Sequence, residues 1–458
     1  MASSYIHRTN SSGSGTTATV SMWVKQNQVT ADGGLFQFYT DASNYVSFYC
    51  NPDVKFRTYI SNSYSQGDKA TKHKNRDPAA WYHYVCVFDT TNGDANDRMR
   101  LWINGVRIDD PELNTDVDPS ASYSFTPLVS GIFQLNKYGG NSTYSDHVYS
   151  HVHYCDGYAY DASTFGEFDS TSGIWKIKTG PSVSYGTNGV FLKFEDRTNL
   201  DLDSSPNAHT MTTVGTITPT YDNPSNNFCT WNPLGTRTDN VPTFTNGNTT
   251  TINTASAWGS IGGTLLAKSG KWYYEAVGGN STGYMHYGFA SSDYFARGGA
   301  NYGYMGEPGT GISFPSYSYY GSNGNIYYNT TTSNSQATAY GATYGTTDYI
   351  GVFLDLDNSK MYWSKNGVIQ NSGTGQTIDN ANSDFWTPIT GNYNDASGHD
   401  TNFGNGVFGT TALTGTTYSD ANSKGTFKYS PNDSGGSSFD GSAKDFYALI
   451  TSNIKLYG

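Results

Sequence analysis

Apolar and polar residues alternate over short stretches along most of the chain, the two-residue period of a strand with one buried face. Val20-Ser21-Met22-Trp23-Val24 and Met99-Arg100-Leu101-Trp102-Ile103 show it in the first half. Trp272-Tyr273-Tyr274-Glu275 and Ile350-Gly351-Val352-Phe353-Leu354 show it in the second. No long stretch carries a 3.6-residue apolar period, so helices are predicted to be few and short. Leu101-Trp102-Ile103 runs through Asn104-Gly105 into Val106-Arg107-Ile108, and Met361-Tyr362-Trp363 runs through Asn366-Gly367 into Val368-Ile369. Asn-Gly accepts the positive φ angles of a type I′ turn, so each half is predicted to hold a tight hairpin. The pattern predicts an all-β chain of two tandem antiparallel β-sandwich (jelly-roll) domains with very little helix. Turn chemistry at Asn232-Pro233-Leu234-Gly235 places a linker at 229–240, between domains at 1–228 and 241–458. The segment near 405–442 reads as a polar insertion, a loop or hairpin added to the second domain.

Composition narrows the function classes. Of 458 residues, 14% are charged and 15% aromatic, with 38 Tyr, 23 Phe and 52 Gly, which suits short strands joined by tight turns. Up to Trp231 there are 16 basic and 23 acidic residues, and beyond it 10 and 15. Both halves are mildly acidic, which argues against nucleic acid as a partner. There is no run of 18 apolar residues, so membrane insertion is not expected. Met1-Ala2-Ser3-Ser4-Tyr5 lacks the apolar stretch of a signal peptide, so synthesis in the cytoplasm is expected. Cys50, Cys86, Cys155 and Cys229 form no Cys-x-x-Cys pair, which disfavours a disulfide or zinc framework.

The first 230 or so residues resemble the laminin-G-like, concanavalin-type domains common in phage proteins. The resemblance rests on Val20 to Lys25, Trp81 to Thr91 with Arg98 to Gly105, and a series from Tyr154-Cys155-Asp156-Gly157 through Phe165-Gly166-Glu167-Phe168-Asp169 to Asp203-Ser204-Ser205-Pro206-Asn207. It runs into Pro224-Ser225-Asn226-Asn227-Phe228, a familiar exit sequence of such proteins. The second half resembles a SPRY domain at Gly270 to Glu275, Ile350 to Asp357, the Asn366-Gly367 hairpin, Phe385-Trp386-Thr387-Pro388 and Asn402-Phe403-Gly404. Asp445 to Ile454 resembles the tails of phage proteins with this pair of modules.

The resemblance implies recognition modules, not an enzyme. The expected role is a surface structural protein of a tailed-phage virion, a fibre or receptor-binding adhesin for a host-surface glycan or protein. The alternative is a capsid or tail decoration protein with a purely structural role. A polysaccharide-degrading enzyme ranks third. The expected partners are other virion proteins and the host surface, and family analogy suggests a homotrimer. The expected location is the surface of the particle, on tail or capsid.

Concanavalin-type glycosidases need two carboxylates across the sugar bond. Here Glu167-Phe168-Asp169 is a near match, but Thr171 and Ser172 stand where a second Glu is needed. The ligand-binding candidates are the Tyr-rich stretch Tyr302, Tyr304, Phe314, Tyr317, Tyr319, Tyr320, Tyr327 and Tyr328, set among Gly, Ser and Asn, which is recognition-loop chemistry. The basic tract Lys69, Lys72, Lys74 and Arg76 is a second, suited to an acidic polysaccharide, headgroup or protein. His147, His151 and His153 share strand parity, so they are metal candidates for zinc or a similar ion. No cofactor is required. Calcium is the option that the resemblance adds, at the loop of Asp94, Asn96 and Asp97 or that of Asp196, Asp201 and Asp203.

Overall fold

The structure is a computed structural model, and it describes every residue except 1–2, 28–32, 52, 139–142, 237–239, 280–282, 293–313, 334–335, 381–384, 433–438 and 440–444. Strands dominate. The α-helices among the described residues are Thr126–Ser130 and Thr451–Tyr457. Two compact units form, Met1–Pro219 with Asn223–Ser225 and Thr220–Asp222 with Asn226–Gly458. The break falls before the expected linker. Trp231–Thr236 is a strand of the second unit paired with Thr250–Gly263, and Trp231 is fully buried. The turn signal at Asn232 to Gly235 coincides with a register slip between Trp231 and Thr236. It marks an irregular strand, not a connection between domains.

In the first unit an eight-stranded sheet faces a six-stranded one. The larger runs in the order Leu113–Val117, Asp68–Lys74, Asp53–Ile60, Asn44–Asn51, Gly33–Asp41, Ile132–Leu135, Tyr5–Thr9 and Thr212–Val214. The smaller runs Val190–Leu192, Val148–Asp156, Thr17–Lys25, Trp81–Asp89, Met99–Ile103 and Val106–Arg107. One parity of each strand fills the interior: Val20, Met22 and Val24 meet Phe36, Phe38, Phe48, Phe56 and Tyr84 there. The Asn104-Gly105 hairpin forms as predicted, with φ of 49° and 80° and Ile103 opposite Val106.

The second unit is organised by one long strand, Trp386–Asn402. Its first part pairs with Met285–Ser291 and its last part with Lys271–Gly278, so one strand serves both layers. Positive φ at Asn394 (49°) and Gly398 (71°) lets the chain bend between the two parts. Trp231, Trp272, Trp363 and Trp386 fill the core between the layers. Asn366 and Gly367 take φ of 51° and 80°, closing the second predicted hairpin.

The described residues of the polar segment near 405–442 pack as a cover, which its composition conceals. Phe427, Phe439 and Phe446 lie against Tyr273, Phe353 and Tyr362, the side of the sheet facing away from the core. Glu275 fastens it. This fully buried carboxylate accepts hydrogen bonds from the backbone N–H of Lys428 (2.9 Å) and Tyr429 (2.7 Å), from the Tyr273 hydroxyl (3.0 Å) and from Asn402 Nδ2 (3.2 Å). Burial nevertheless pushes Glu275 up to about 7, the four donors offsetting only part of the desolvation.

The native state holds a proton on Glu275 that the unfolded chain releases near 4.5, so this group's contribution to stability is present at low pH. It is lost as pH rises from about 4.5 through about 7, by about 3 kcal/mol in all. Denaturant unfolding of wild type and Glu275→Gln at pH 4, 6 and 8 should show the wild type losing ground to the variant as pH rises. A stability difference independent of pH would contradict this account of Glu275.

Candidate functional site

Strand alternation divides the Tyr-rich stretch. Tyr317 and Tyr319, on Ser316–Tyr320, point into the core of the second unit and are buried. Tyr317 stacks on Tyr328 at 5.4 Å, and Tyr319 packs on Tyr344 at 5.1 Å. These two are structural: a ring with no exposed face cannot stack on a ligand. The intervening parity points outward and carries Ser318, Tyr320 and, from the neighbouring strand Asn325–Asn329, Tyr327 opposite Ser318. Tyr302 and Tyr304 lie outside the described residues. Phe314 packs on Ala290 and Ile389.

Tyr320 and Tyr327 belong to a larger aromatic face whose other members come from distant strands. Ser260, Gly391, His286 and Tyr320 form one cross-strand row, and Trp258 stands opposite Tyr393 in the next. His286 stacks on Tyr320 at 4.3 Å, with Nδ1 3.0 Å from Ser318 Oγ. Trp258 lies 4.9 Å from His286, 5.9 Å from Tyr320 and 5.6 Å from Tyr393. Tyr284 stacks on Tyr320 at 6.4 Å and meets Tyr393 edge-on at 5.9 Å. Trp258, Tyr320, Tyr327 and Tyr393 are half-buried and Tyr284 is exposed, around a buried His286. Burial drives the imidazole down to about 3, so it is neutral at ordinary pH. Rings held by one another offer wide, rigid, amphipathic area at low entropic cost, which suits stacking on sugars or apolar side chains. The sequence reading missed Trp258, Tyr284 and Tyr393, because only pairing between remote strands brings them together.

The basic tract lies on the strand Asp68–Lys74 and just beyond it. Lys69 is buried and paired with Asp116 and with Asp118 (2.8 Å), so it is structural and unavailable to a ligand. Lys72 is exposed and donates to the Pro111 carbonyl at 2.5 Å; Lys74 lies 3.6 Å from Asp53; Arg76 is exposed.

The histidines do not converge. The strand Val148–Asp156 slips register between Ser150 and His153, and His151 takes a φ of 48°, which breaks the parity that would align the three. His147 Nδ1 accepts from the Asn27 N–H at 3.3 Å. His151 Nδ1 is 2.8 Å from Ser150 Oγ. His153 stacks on Phe191 at 3.9 Å with Nδ1 2.9 Å from the Tyr185 hydroxyl, and burial holds it well below the usual histidine range. The acidic loops are committed to local bonds. Asp94 caps a 3-10 turn through the Asn96 N–H at 3.0 Å, and Asp97 pairs with Arg107 at 2.7 Å. Asp203 accepts from the N–H groups of Phe191, Ser205 and His209, and Asp196 from that of Thr198. Among the described residues no three His, Cys, Asp or Glu side chains are grouped to hold a metal ion. Glu167 is exposed, on a short hairpin, 3.8 Å from Lys178.

Two tests separate core from face and structure from metal. Tyr319→Ala should cost about 3–5 kcal/mol in urea unfolding, as for loss of a buried ring. Tyr320→Ala should cost about 1 kcal/mol or less; equal losses would mean that the face is merely core. Melting temperatures with excess calcium and with chelator should agree to within about 1 °C, because ion binding to the native state would raise the former.

Residues 1–138 match a laminin-G family model described as the concanavalin A-like lectin/glucanases superfamily, and residues 271–385 match the SPRY domain model. No curated protein matches the sequence at a significant level. Among known structures, the SPRY domain of human HERC1 is 13% identical over 37% of this chain and 94% of its own, with a TM-score of 0.29. A human SPRY domain is 17% identical over 33% and 90%, with a TM-score of 0.24. The heptameric SAP-like pentraxin from Limulus polyphemus is 13% identical over 33% and 69%, with a TM-score of 0.25. The family matches and the two all-β units agree: the chain carries a concanavalin-like lectin domain followed by a SPRY domain.

Proposed function

We propose that this chain is a surface structural protein of a tailed-phage virion, a fibre-type adhesin that binds a host-surface glycan or protein. The observation that carries the reading is the aromatic face of the second unit, where Trp258, Tyr284, Tyr320, Tyr327 and Tyr393 form one contiguous set of rings. The sequence resemblance to phage proteins with this pair of modules supplies the setting. In this reading the protein is made in the host cytoplasm, joins other virion proteins on tail or capsid, and acts as a homo-oligomer, a trimer by family analogy. Its chemistry is binding, with no cofactor. Nucleic acid is not a partner, because the net charge of −12 repels phosphate. No helix among the described residues is long and apolar enough to cross a membrane.

The test is binding of labelled, folded protein to intact candidate host cells, before and after surface polysaccharide is stripped. The expected result is saturable binding that stripping abolishes and that Trp258→Ala and Tyr320→Ala each weaken about tenfold, or about 1.4 kcal/mol, in keeping with loss of one stacked ring. No binding by folded, oligomeric protein to any candidate host would replace this reading with a purely structural decoration protein.

A further inference from the structure

The first unit carries a second ring-bearing face, on the side of its eight-stranded sheet away from the core. Tyr39, Tyr45 and Tyr59 run across three strands with centroids 6.5 and 5.1 Å apart, and Tyr64 continues the row at 4.9 Å. A second row holds Tyr49 stacked on Tyr138 at 4.0 Å. Between the rows, Arg57, Ser47, Gln37 and Gln134 stand in register on four adjacent strands. Their outward direction follows from their neighbours, since Phe36, Phe38, Phe48, Phe56 and Phe133 all fill the core.

Two features point to a ligand. Ser47 is 1% exposed and Gln37 0%, yet Ser47 Oγ and Gln37 Oε1 have no hydrogen-bond partner. Gln37 spends its amide on Gln134 Oε1, at 2.5 Å. Unpartnered buried oxygens each cost about 1–3 kcal/mol, which a donor reaching this floor would relieve. The second feature is charge. On a chain of net −12, this face gathers Lys55 over Tyr49 (5.5 Å), Arg57 over Tyr64 (4.9 Å) and Lys137 over Tyr5 (4.5 Å). Its carboxylates are engaged: Asp68 is held by Arg57 at 2.6 Å, and Asp53 lies 3.6 Å from Lys74. Arg57 also donates to the Tyr49 hydroxyl at 3.0 Å, which fixes its guanidinium at the centre of the face.

We infer that this face binds an acidic oligosaccharide. The half-buried rings of Tyr39, Tyr59 and Tyr138 take the flat sides of the sugars, Lys55 and Lys137 take their carboxylates, and Ser47 and Gln37 accept from hydroxyls at the floor. The inference deepens the glycan-directed reading and rests on it for biological sense, but the site is separate from the aromatic face of the second unit.

The test is calorimetric titration of the full chain with a galacturonic acid hexamer, and with the neutral galactose hexamer as control. The acidic hexamer should bind, more weakly as salt rises, and the neutral one should bind at least about fivefold more weakly. Lys55→Gln with Lys137→Gln should weaken acidic binding about fivefold without altering the melting temperature. Ser47→Ala removes an unpartnered hydroxyl, so it should leave the fold intact and still lower affinity; a Ser47 that is merely buried would change stability alone. No binding of the acidic hexamer, equal binding of the two, or indifference to the lysine pair would overturn the inference. Because the assay uses no cells, and Lys55→Gln with Lys137→Gln leaves the aromatic face of the second unit untouched, its failure is distinguishable from failure of the adhesin reading.

Discussion

A strand places successive side chains on opposite sides of its sheet, so filling the inside of a sandwich leaves as many side chains outside. Each unit resolves this by covering the outside of one sheet with a segment of irregular chain. In the first unit, Val85, Val87, Cys155 and Phe191 lie beneath Phe165 and Tyr185, with Trp175 at the margin. His83 sits within that layer, stacked on Trp23 at 4.8 Å, taking a hydrogen bond from Trp175 Nε1 at 3.0 Å and facing Ser21 Oγ at 2.9 Å. Burial drives it down to about 3, so a neutral imidazole with both nitrogens bonded ties the cover to the sheet. In the second unit Glu275 has the same task, and there a carboxylate gathers four donors.

Covering one side fixes what the other can do. The covered surfaces are apolar, because their rings and aliphatic groups are sealed from water. The remaining outer faces mix Tyr and Trp with Ser, Gly, Gln and Arg, and most of their rings stay half-buried. That composition tolerates water and still offers stacking area. It also explains why the binding candidates lie on strands: cross-strand packing holds each ring in place, so little side-chain freedom is lost when a ligand arrives.

Much of this was legible from local pattern. The two Asn-Gly hairpins follow from backbone sterics alone, and the core parity of Val20 to Val24 or Ile350 to Leu354 follows from alternation. What escaped was non-local. A Tyr-rich stretch looks uniform in sequence, yet alternation sends Tyr317 and Tyr319 inward and Tyr320 outward. The three histidines share parity on paper, but a register slip at Ser150 to His153 separates them. Lys69 reads as one of a basic run, and only the fold brings Asp116 and Asp118 to it. The cover near 405–442 looked like a loop because its aromatics, Phe408, Tyr418, Phe427, Tyr429 and Phe439, are scattered among Gly, Ser, Thr and Asn without a strand period, and the carboxylate that anchors it is more than a hundred residues away.

Shallow faces of this kind bind weakly one at a time, since a few stacked rings and screened cations supply only a few kcal/mol against the cost of association. In the proposed reading, with many copies on one particle, weak binding is no handicap. Once one copy engages, the others meet their sites at a high effective concentration, and avidity exceeds single-site affinity by about 10²–10⁴. Such a system favours sites that are rigid, shallow and accessible over deep pockets that hold one ligand tightly. Rows of tyrosine fixed by their neighbours, on sheets whose opposite sides are already packed, meet that requirement without any moving part.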